Sequence, residues 1–250
     1  MQRTPWWDHL DAEVFAQPDV VEAMRPFVPV KVDAEDGEGR PLAAKHKVET
    51  RMIDPMILFI DPEAEGGAVV ARIPGMIPTG TLVDGLRTLA RLPRDIGTLT
   101  KKAHPDDGDA MRQLATAMAI RGRIKDAAAL IERAWGPAAD PNFDRWAAVY
   151  NALGIELMMR LQWRAASDWF HKAAGVAKRP IDVYNAHLGA GFAALLQTRA
   201  DLATREFEAA ARADGVSGGD RDLARLLATD PRTALNGPPV KKNQPSSAPK

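Results

Sequence analysis

The side chains that most often carry enzymatic chemistry are either absent from this 250-residue chain or not spaced as a site requires. Cysteine is absent, which excludes thiol–disulfide exchange, disulfide bonds, thiolate zinc sites and iron–sulfur clusters. The five histidines form no pair at the spacing of a helical metal site. We therefore expect no metal, no cofactor and no catalytic residues. The histidines are His9, His46, His104, His171 and His187.

Two segments superficially resemble ligand-binding loops but lack the residues that would complete them. Residues 106–109 combine aspartates with a glycine, yet Leu114 stands where a calcium loop places its glutamate. Residues 215–219 are glycine-rich, but no Lys-Ser or Lys-Thr pair follows them, as a phosphate-binding loop requires. The sequence thus predicts neither a calcium site nor a phosphate site.

The overall charge and hydropathy narrow the classes of partner. The 33 basic and 33 acidic side chains cancel, so no long-range field attracts nucleic acid or an anionic membrane. No apolar run is long enough for a membrane span, and the first residues lack the apolar core of a signal peptide. We expect a cytoplasmic protein, provided that no leader precedes Met1.

Short strand-like and helical patterns alternate up to residue 100 and would position any site there. Residues 27–33 predict a strand, and so does the continuous apolar run 56–60. Residues 68–73 predict the return strand of a hairpin. Thr79 or Thr81 can cap a following helix that has leucines at helical spacing.

This order of elements resembles the thioredoxin-like fold after its active-site strand. The resemblance rests on residues 30–33, 54–62 and 72–75. In that family the proline that opens the hairpin strand is cis, which implies a cis peptide bond at Pro55. The alternative is an ordinary trans proline at the start of a strand.

The same resemblance places Thr4 and Trp7 where the two cysteines of the redox motif lie. Neither side chain can replace a thiolate, so the implied motif is degenerate and the domain is redox-inactive. Trp6, Trp7 and Pro55 would then form an aromatic and apolar patch of the kind that binds extended peptide in intact relatives. The alternative is that both tryptophans pack on the first helix.

The chain begins after the strand that lies at the centre of a thioredoxin-like sheet. Each backbone group left buried and unpaired by that loss would cost about 1–3 kcal/mol. We therefore expect one of three outcomes. The native protein is longer, a second copy completes the sheet in a homo-oligomer, or the partial domain packs against the rest of the chain.

From residue 109 onward an alanine-rich helical pattern repeats at spacings of 39 and 37 residues. Small residues begin each unit, followed by an alanine, a larger apolar residue and another alanine at fixed distances. Small residues let antiparallel helices approach closely, and the larger side chain fills the gap beside them. The units are Ala115, Ala127, Ile131 and Ala134; Gly154, Ala166, Phe170 and Ala173; and Gly191, Ala203, Phe207 and Ala210.

The repeat resembles the tetratricopeptide repeat, with residues 219–229 as a capping helix. The alternative is a generic alanine-rich helical bundle. The resemblance implies a concave face, formed mostly by the first helix of each unit, that binds a protein or peptide. It makes Asn151, Arg160 and Asn185 candidate peptide-binding residues, whereas the alternative reading is that they are ordinary solvated side chains.

The sequence as a whole predicts a partial thioredoxin-like α/β domain (1–100), a linker (101–108) and an all-α solenoid (109–230), so the fold class is α+β followed by α. Residues 236–250 are rich in proline and serine and predict a disordered tail. The layout is similar to that of bacterial chaperedoxins. It implies a non-catalytic interaction protein, chaperone-like or an assembly adaptor. The alternatives are an accessory subunit of a thiol–disulfide oxidoreductase system and a structural scaffold.

Overall fold

A computed structural model of the protein consists mainly of helices, with one two-stranded sheet. It describes residues 5–33, 36–37, 39–46, 56–61, 67–75, 78–91, 96–104, 107–134 and 143–236. The predicted tail after residue 236 lies outside the described residues, as do Thr4 and Pro55.

The first part of the chain, residues 5–91, is called the N-terminal unit below. Its elements are α1 (Pro5–His9), a π-helical turn (Leu10–Val14), α2 (Pro18–Met24), α3 (Gly39–Lys45), β1 (Met56–Asp61), β2 (Ala68–Pro74) and α4 (Thr79–Arg91). The two predicted hairpin strands and the helix after them are therefore present. Their apolar side chains form one core with those of the first helices. The buried residues of this core are Leu10, Val14, Val20, Ala23, Phe59, Ala71, Leu82, Val83 and Leu86.

The two strands pair antiparallel, with Ile57 opposite Ile73 and Phe59 opposite Ala71. An irregularity between Phe59 and Ile60 shifts the register by one residue. Because side chains alternate between the faces of a strand, the pairing keeps Phe59 and Ala71 on the side that α4 covers.

The prediction of a strand over residues 27–33 is wrong, because this segment is irregular and pairs with neither β1 nor β2. Pro29 lacks the amide hydrogen that a ladder needs, which opposes pairing. Val28 and Val30 are 90% and 77% exposed, so no burial of their side chains stabilises a strand here. Phe27 alone joins the core, through an edge-to-face contact with Phe59 at 5.4 Å between ring centroids.

The second part of the chain is a series of helices. These are α5 (Ile96–Lys102), α6 (Gly108–Ile120), α7 (Ile124–Ala134), α8 (Trp146–Met159), α9 (Trp163–Val176), α10 (Pro180–Leu196), α11 (Ala200–Ala211), α12 (Gly218–Thr229) and α13 (Thr233–Asn236). A short 3-10 turn, Phe143–Arg145, precedes α8. α5 ends inside the predicted linker and packs on α6. Helices α6 to α12 are called the helix array below.

The helix array is built from three helix pairs, α6 with α7, α8 with α9 and α10 with α11. The turn within each pair contains a residue with positive φ, namely Gly122 (73°), Leu161 (61°) and Thr198 (61°). These residues are 39 and 37 positions apart, the same spacings as the sequence repeat. The first helices also contact one another in order, α6 with α8 and α8 with α10. The array is thus internally repetitive in both sequence and turn geometry.

The predicted contacts between small and large residues occur at the two later pairs. A Cβ atom on Gly154 would lie 2.6 Å from the ring of Phe170, and one on Gly191 would lie 2.4 Å from the ring of Phe207. Gly189 also meets Phe170, at 2.4 Å. Real Cβ atoms do not approach a ring this closely, so helices α8 to α11 can pack as they do because these positions are glycine.

The N-terminal unit lies against the helix array along the sides of its even-numbered helices. Strand β2 contacts α6 and α8, and α4 contacts α10 and α12. Trp6 belongs to the same buried cluster as Phe207 and Leu227 of the array. We call the contacted surface of α6, α8, α10 and α12 the docking face.

Candidate functional site

The part of the docking face formed by α10 carries polar side chains that contact α4. The hydroxyl of Thr81 donates a hydrogen bond to Oδ1 of Asn185. Arg179, the residue before α10, places Nη2 3.6 Å from Oδ2 of Asp84. Thr81 and Asp84 are three positions apart, so both side chains reach one side of α4.

Asp220 on α12 lies at the beginning of α4. A Cβ atom on Gly80 would be 2.9 Å from Oδ2 of Asp220, so a larger residue at position 80 would require this carboxylate to shift. Asp220 is only 3% exposed, and its burial raises the pKa of the carboxyl, while Ser217 and the backbone amides of Gly80 and Thr79 oppose that rise. Oδ2 of Asp220 has no hydrogen-bond partner within the described part of the chain. The hydroxyl of Tyr184 holds the backbone of Asp220, donating to its carbonyl oxygen at 2.9 Å.

Asn151 lies behind this surface and supports the first turn of α10. Its Nδ2 donates to the backbone oxygen of Asp182 at 3.1 Å, and Asn151 itself is buried. The carboxylate of Asp182 accepts two hydrogen bonds from Arg179, at 2.6 and 2.9 Å. Burial raises the pKa of Asp182, and the bonds from Arg179 oppose that rise. The structure therefore places Asn151 inside the array, where it fixes the residue pair that presents Arg179 to α4.

Arg160 lies at the end of α8 and contacts the first helix pair. Its Nη2 donates to the carbonyl oxygen of Gly122 at 2.7 Å, and its Nε lies 3.0 Å from Oε1 of Glu156. Burial raises the pKa of Glu156, while Arg160 and the charge of Arg72 on β2 oppose that rise. Arg160 thus joins α8 to the turn between α6 and α7. These contacts of Arg160 involve neither Asn151 nor Asn185.

The two tryptophans of the predicted peptide patch have different surroundings. Trp6 is 1% exposed, and its Nε1 donates to the carbonyl oxygen of Ala234 at 3.1 Å. Trp7 is half-buried, with Nζ of Lys31 4.7 Å from its ring centroid. Trp6 therefore anchors the N-terminal unit on the far end of the array, and only Trp7 lies partly at the surface.

Two histidines share one carboxylate on a different surface of the array. His171 on α9 and His187 on α10 each contact one oxygen of Glu206 on α11, at 3.0 and 2.9 Å. Burial alone would raise the pKa of Glu206, but the hydrogen bonds and charges of His187 and His171 together lower it. Within the described ranges, no group of three His, Cys, Asp or Glu residues has the geometry to hold a metal ion.

Sequence reasoning selected Asn185 but missed its partner Thr81. It also missed the contact of Asp84 with Arg179 and the position of Asp220 beside Gly80. Thr81 and Asn185 are separated by 104 residues, so no local spacing connects them. One local signal was available at Asp220, because Ser217 caps α12 and accepts from the amide of Asp220 at 3.1 Å. That signal marks the start of a helix and does not reveal what Asp220 faces.

No protein-family model, curated protein or solved structure matches this chain. None of the described helices combines the length and the apolarity that crossing a membrane requires. The geometry of the docking face is therefore the main basis for a functional proposal.

Proposed function

We propose that the protein is a non-catalytic interaction protein whose helix array binds a protein partner. The observation that carries the proposal is that α10 and α12 already hold a helix, α4, by contacts specific to its side chains. Asn185 and Arg179 each meet one polar residue of α4. A surface that recognises one helix in this way has the polar groups needed for recognition of another protein segment.

On this proposal the helix array is a solenoid of the tetratricopeptide type. The equivalent turns and the glycine contacts of Phe170 and Phe207 support that assignment. We further propose that the N-terminal unit derives from a thioredoxin-like domain without redox activity. The hairpin followed by α4 supports this origin, whereas the irregular segment 27–33 departs from it.

Such a protein would act as a chaperone-like factor or an assembly adaptor. It would bring a client or subunit to the array without changing its covalent structure. The N-terminal unit would then regulate or complete the binding surface, because it covers the even-numbered helices of the array.

Site-specific photo-crosslinking in the full-length protein tests this function. A photoreactive side chain would replace the exposed Asp168 on α9, in a second protein the exposed Lys178 beside Arg179, and in a third the exposed Val28 of the N-terminal unit. We expect a partner protein to be crosslinked at position 168 or 178 in cells that naturally contain this chain. Crosslinks from position 28 alone would contradict binding by the array. A lack of crosslinks from all three positions would contradict the interaction function itself.

A further inference from the structure

We infer that the surface of α10 and α12 that holds α4 is the partner site itself, and that α4 occupies it as an intramolecular competitor. The partner segment is a helix that matches α4: glycine at its second position, a hydroxyl residue next, and a carboxylate one turn later. This inference rests on the proposed interaction function and adds the chemistry of the partner.

The requirement for glycine comes from the closeness of α4 to α12. A Cβ atom at position 80 would lie 2.9 Å from Oδ2 of Asp220 and 3.2 Å from Cδ1 of Ile181. Asp220 is 3% exposed and Ile181 packs against the buried cluster, so there is little room for either side chain to shift. A helix with any larger residue at this position would not seat in the same way.

The requirement for the two polar positions comes from Asn185 and Arg179. Asn185 accepts from the hydroxyl of Thr81, and Arg179 lies near the carboxylate of Asp84. The opposite side of α4, which includes Leu82, packs into the core of the N-terminal unit. α4 thus uses one side for its own unit and the other for the array.

The intramolecular arrangement gives α4 an advantage over a partner. A tethered segment acts at an effective concentration on the order of millimolar, so a free helix of equal affinity hardly competes. The contacts themselves are polar, and both members of the Arg179–Asp84 pair are more than a third exposed. Such pairs contribute little to affinity and more to specificity. Removing one of these contacts should therefore be enough to release α4 from the surface of α10 and α12.

The test uses a fluorescent peptide of residues 78–91 and full-length proteins, with binding followed by fluorescence anisotropy. The Gly80→Ala protein should bind the peptide at least about tenfold more tightly than the wild type, because its own α4 no longer seats against Asp220. Gly85→Ala is the matched control. Its new Cβ would make only an ordinary contact, 3.6 Å from Ile73, so this protein should behave like the wild type.

Two further measurements make the outcome decisive. The gain in peptide affinity should disappear when Asp220→Ala is added to the Gly80→Ala protein. It should also disappear when the peptide itself carries alanine at position 80. If the Gly80→Ala protein does not fold, the Thr81→Ala/Asp84→Ala protein replaces it, because it removes contacts from α4 without adding volume. Equal peptide affinity of the opened and wild-type proteins would overturn the inference. If crosslinks at position 168 were still found, the interaction function would stand and only the partner site would be wrong.

Discussion

The indole Nε1 of Trp6 donates a hydrogen bond to the carbonyl oxygen of Ala234 at 3.1 Å and joins the two ends of the described chain. The two residues are 228 positions apart, and Trp6 is fully buried among residues of the helix array. The N-terminal unit therefore shares a core with the last helices of the array. Its contact with the docking face is held at this end by apolar packing and a buried hydrogen bond.

Replacing Trp6 with phenylalanine should reduce the free energy of unfolding by about 1–3 kcal/mol, because a buried carbonyl oxygen loses its donor and the smaller ring leaves a cavity. Trp7→Phe is the control. Trp7 is half-buried and contacts Lys31, so its loss should stay below about 1 kcal/mol. Urea unfolding followed by circular dichroism measures both values, and equal losses would contradict an anchoring role for Trp6.

Gly154→Ala should destabilise the array although alanine favours helices. The gain from helix propensity is about 0.5–1 kcal/mol, whereas a methyl group 2.6 Å from the ring of Phe170 forces repacking that costs about 1–3 kcal/mol. Gly175→Ala on α9 is the matched control, since no atom lies within 4 Å of its new Cβ. Thermal unfolding should show a lower midpoint for Gly154→Ala and an unchanged or higher one for Gly175→Ala.

Thr198→Gly should stabilise the protein. Thr198 has a φ of 61°, a left-handed conformation that costs a β-branched residue about 1–2 kcal/mol, and Gly122 occupies the equivalent turn position in the first pair. After the entropic cost of glycine, a net gain of about 0.5–1 kcal/mol is expected in denaturant unfolding. A loss of stability would mean that the threonine side chain makes a compensating contact.

Asp220→Asn should raise stability at neutral pH. Burial raises the pKa of Asp220 in the folded protein above its ordinary value of 3.8, so protonation favours the folded state. The wild type therefore loses this contribution as the pH rises through the folded pKa, and asparagine avoids the loss. The difference between variant and wild type should disappear below pH 3.8.

The control for this pH dependence is Asp222→Asn, at a mostly exposed position on the same helix. Because the side chain of Asp222 is mostly exposed, this substitution should change the free energy of unfolding at neutral pH by less than Asp220→Asn does. Denaturant unfolding between pH 3 and pH 7, about the range over which carboxyls titrate, measures all three proteins. An Asp220→Asn profile parallel to that of the wild type would contradict the buried charge.

Local patterns in the sequence were enough to predict the helix pairs and the hairpin. The spacing of Gly154, Phe170, Gly191 and Phe207 predicted contacts that occur between consecutive helices. Such contacts join residues close in sequence through a three-residue turn, so helical periodicity determines them. The strand predicted at residues 27–33 failed because apolar alternation does not ensure a partner, and prolines remove donors.

The candidate site could be predicted only in part. Asn185 was selected for its residue type and expected helix face, but its contact with Thr81 depends on how two folded units meet. Asn151, chosen by the same reasoning, is buried beneath α10 instead. Glu206 shows the same limit, because His171 and His187 reach it from two other helices.

The sequence by itself determined the absence of thiol chemistry, the repeat spacing and the residues at which helices pack closely, because these depend on residue type and on short-range geometry. Only the tertiary structure decided that the N-terminal unit covers the array, that Trp6 reaches Ala234 and that Asp220 faces the first turn of α4. The physical reason is that docking depends on the summed shape, charge and burial of surfaces whose residues lie far apart in the chain. No periodic pattern within either segment carries that information.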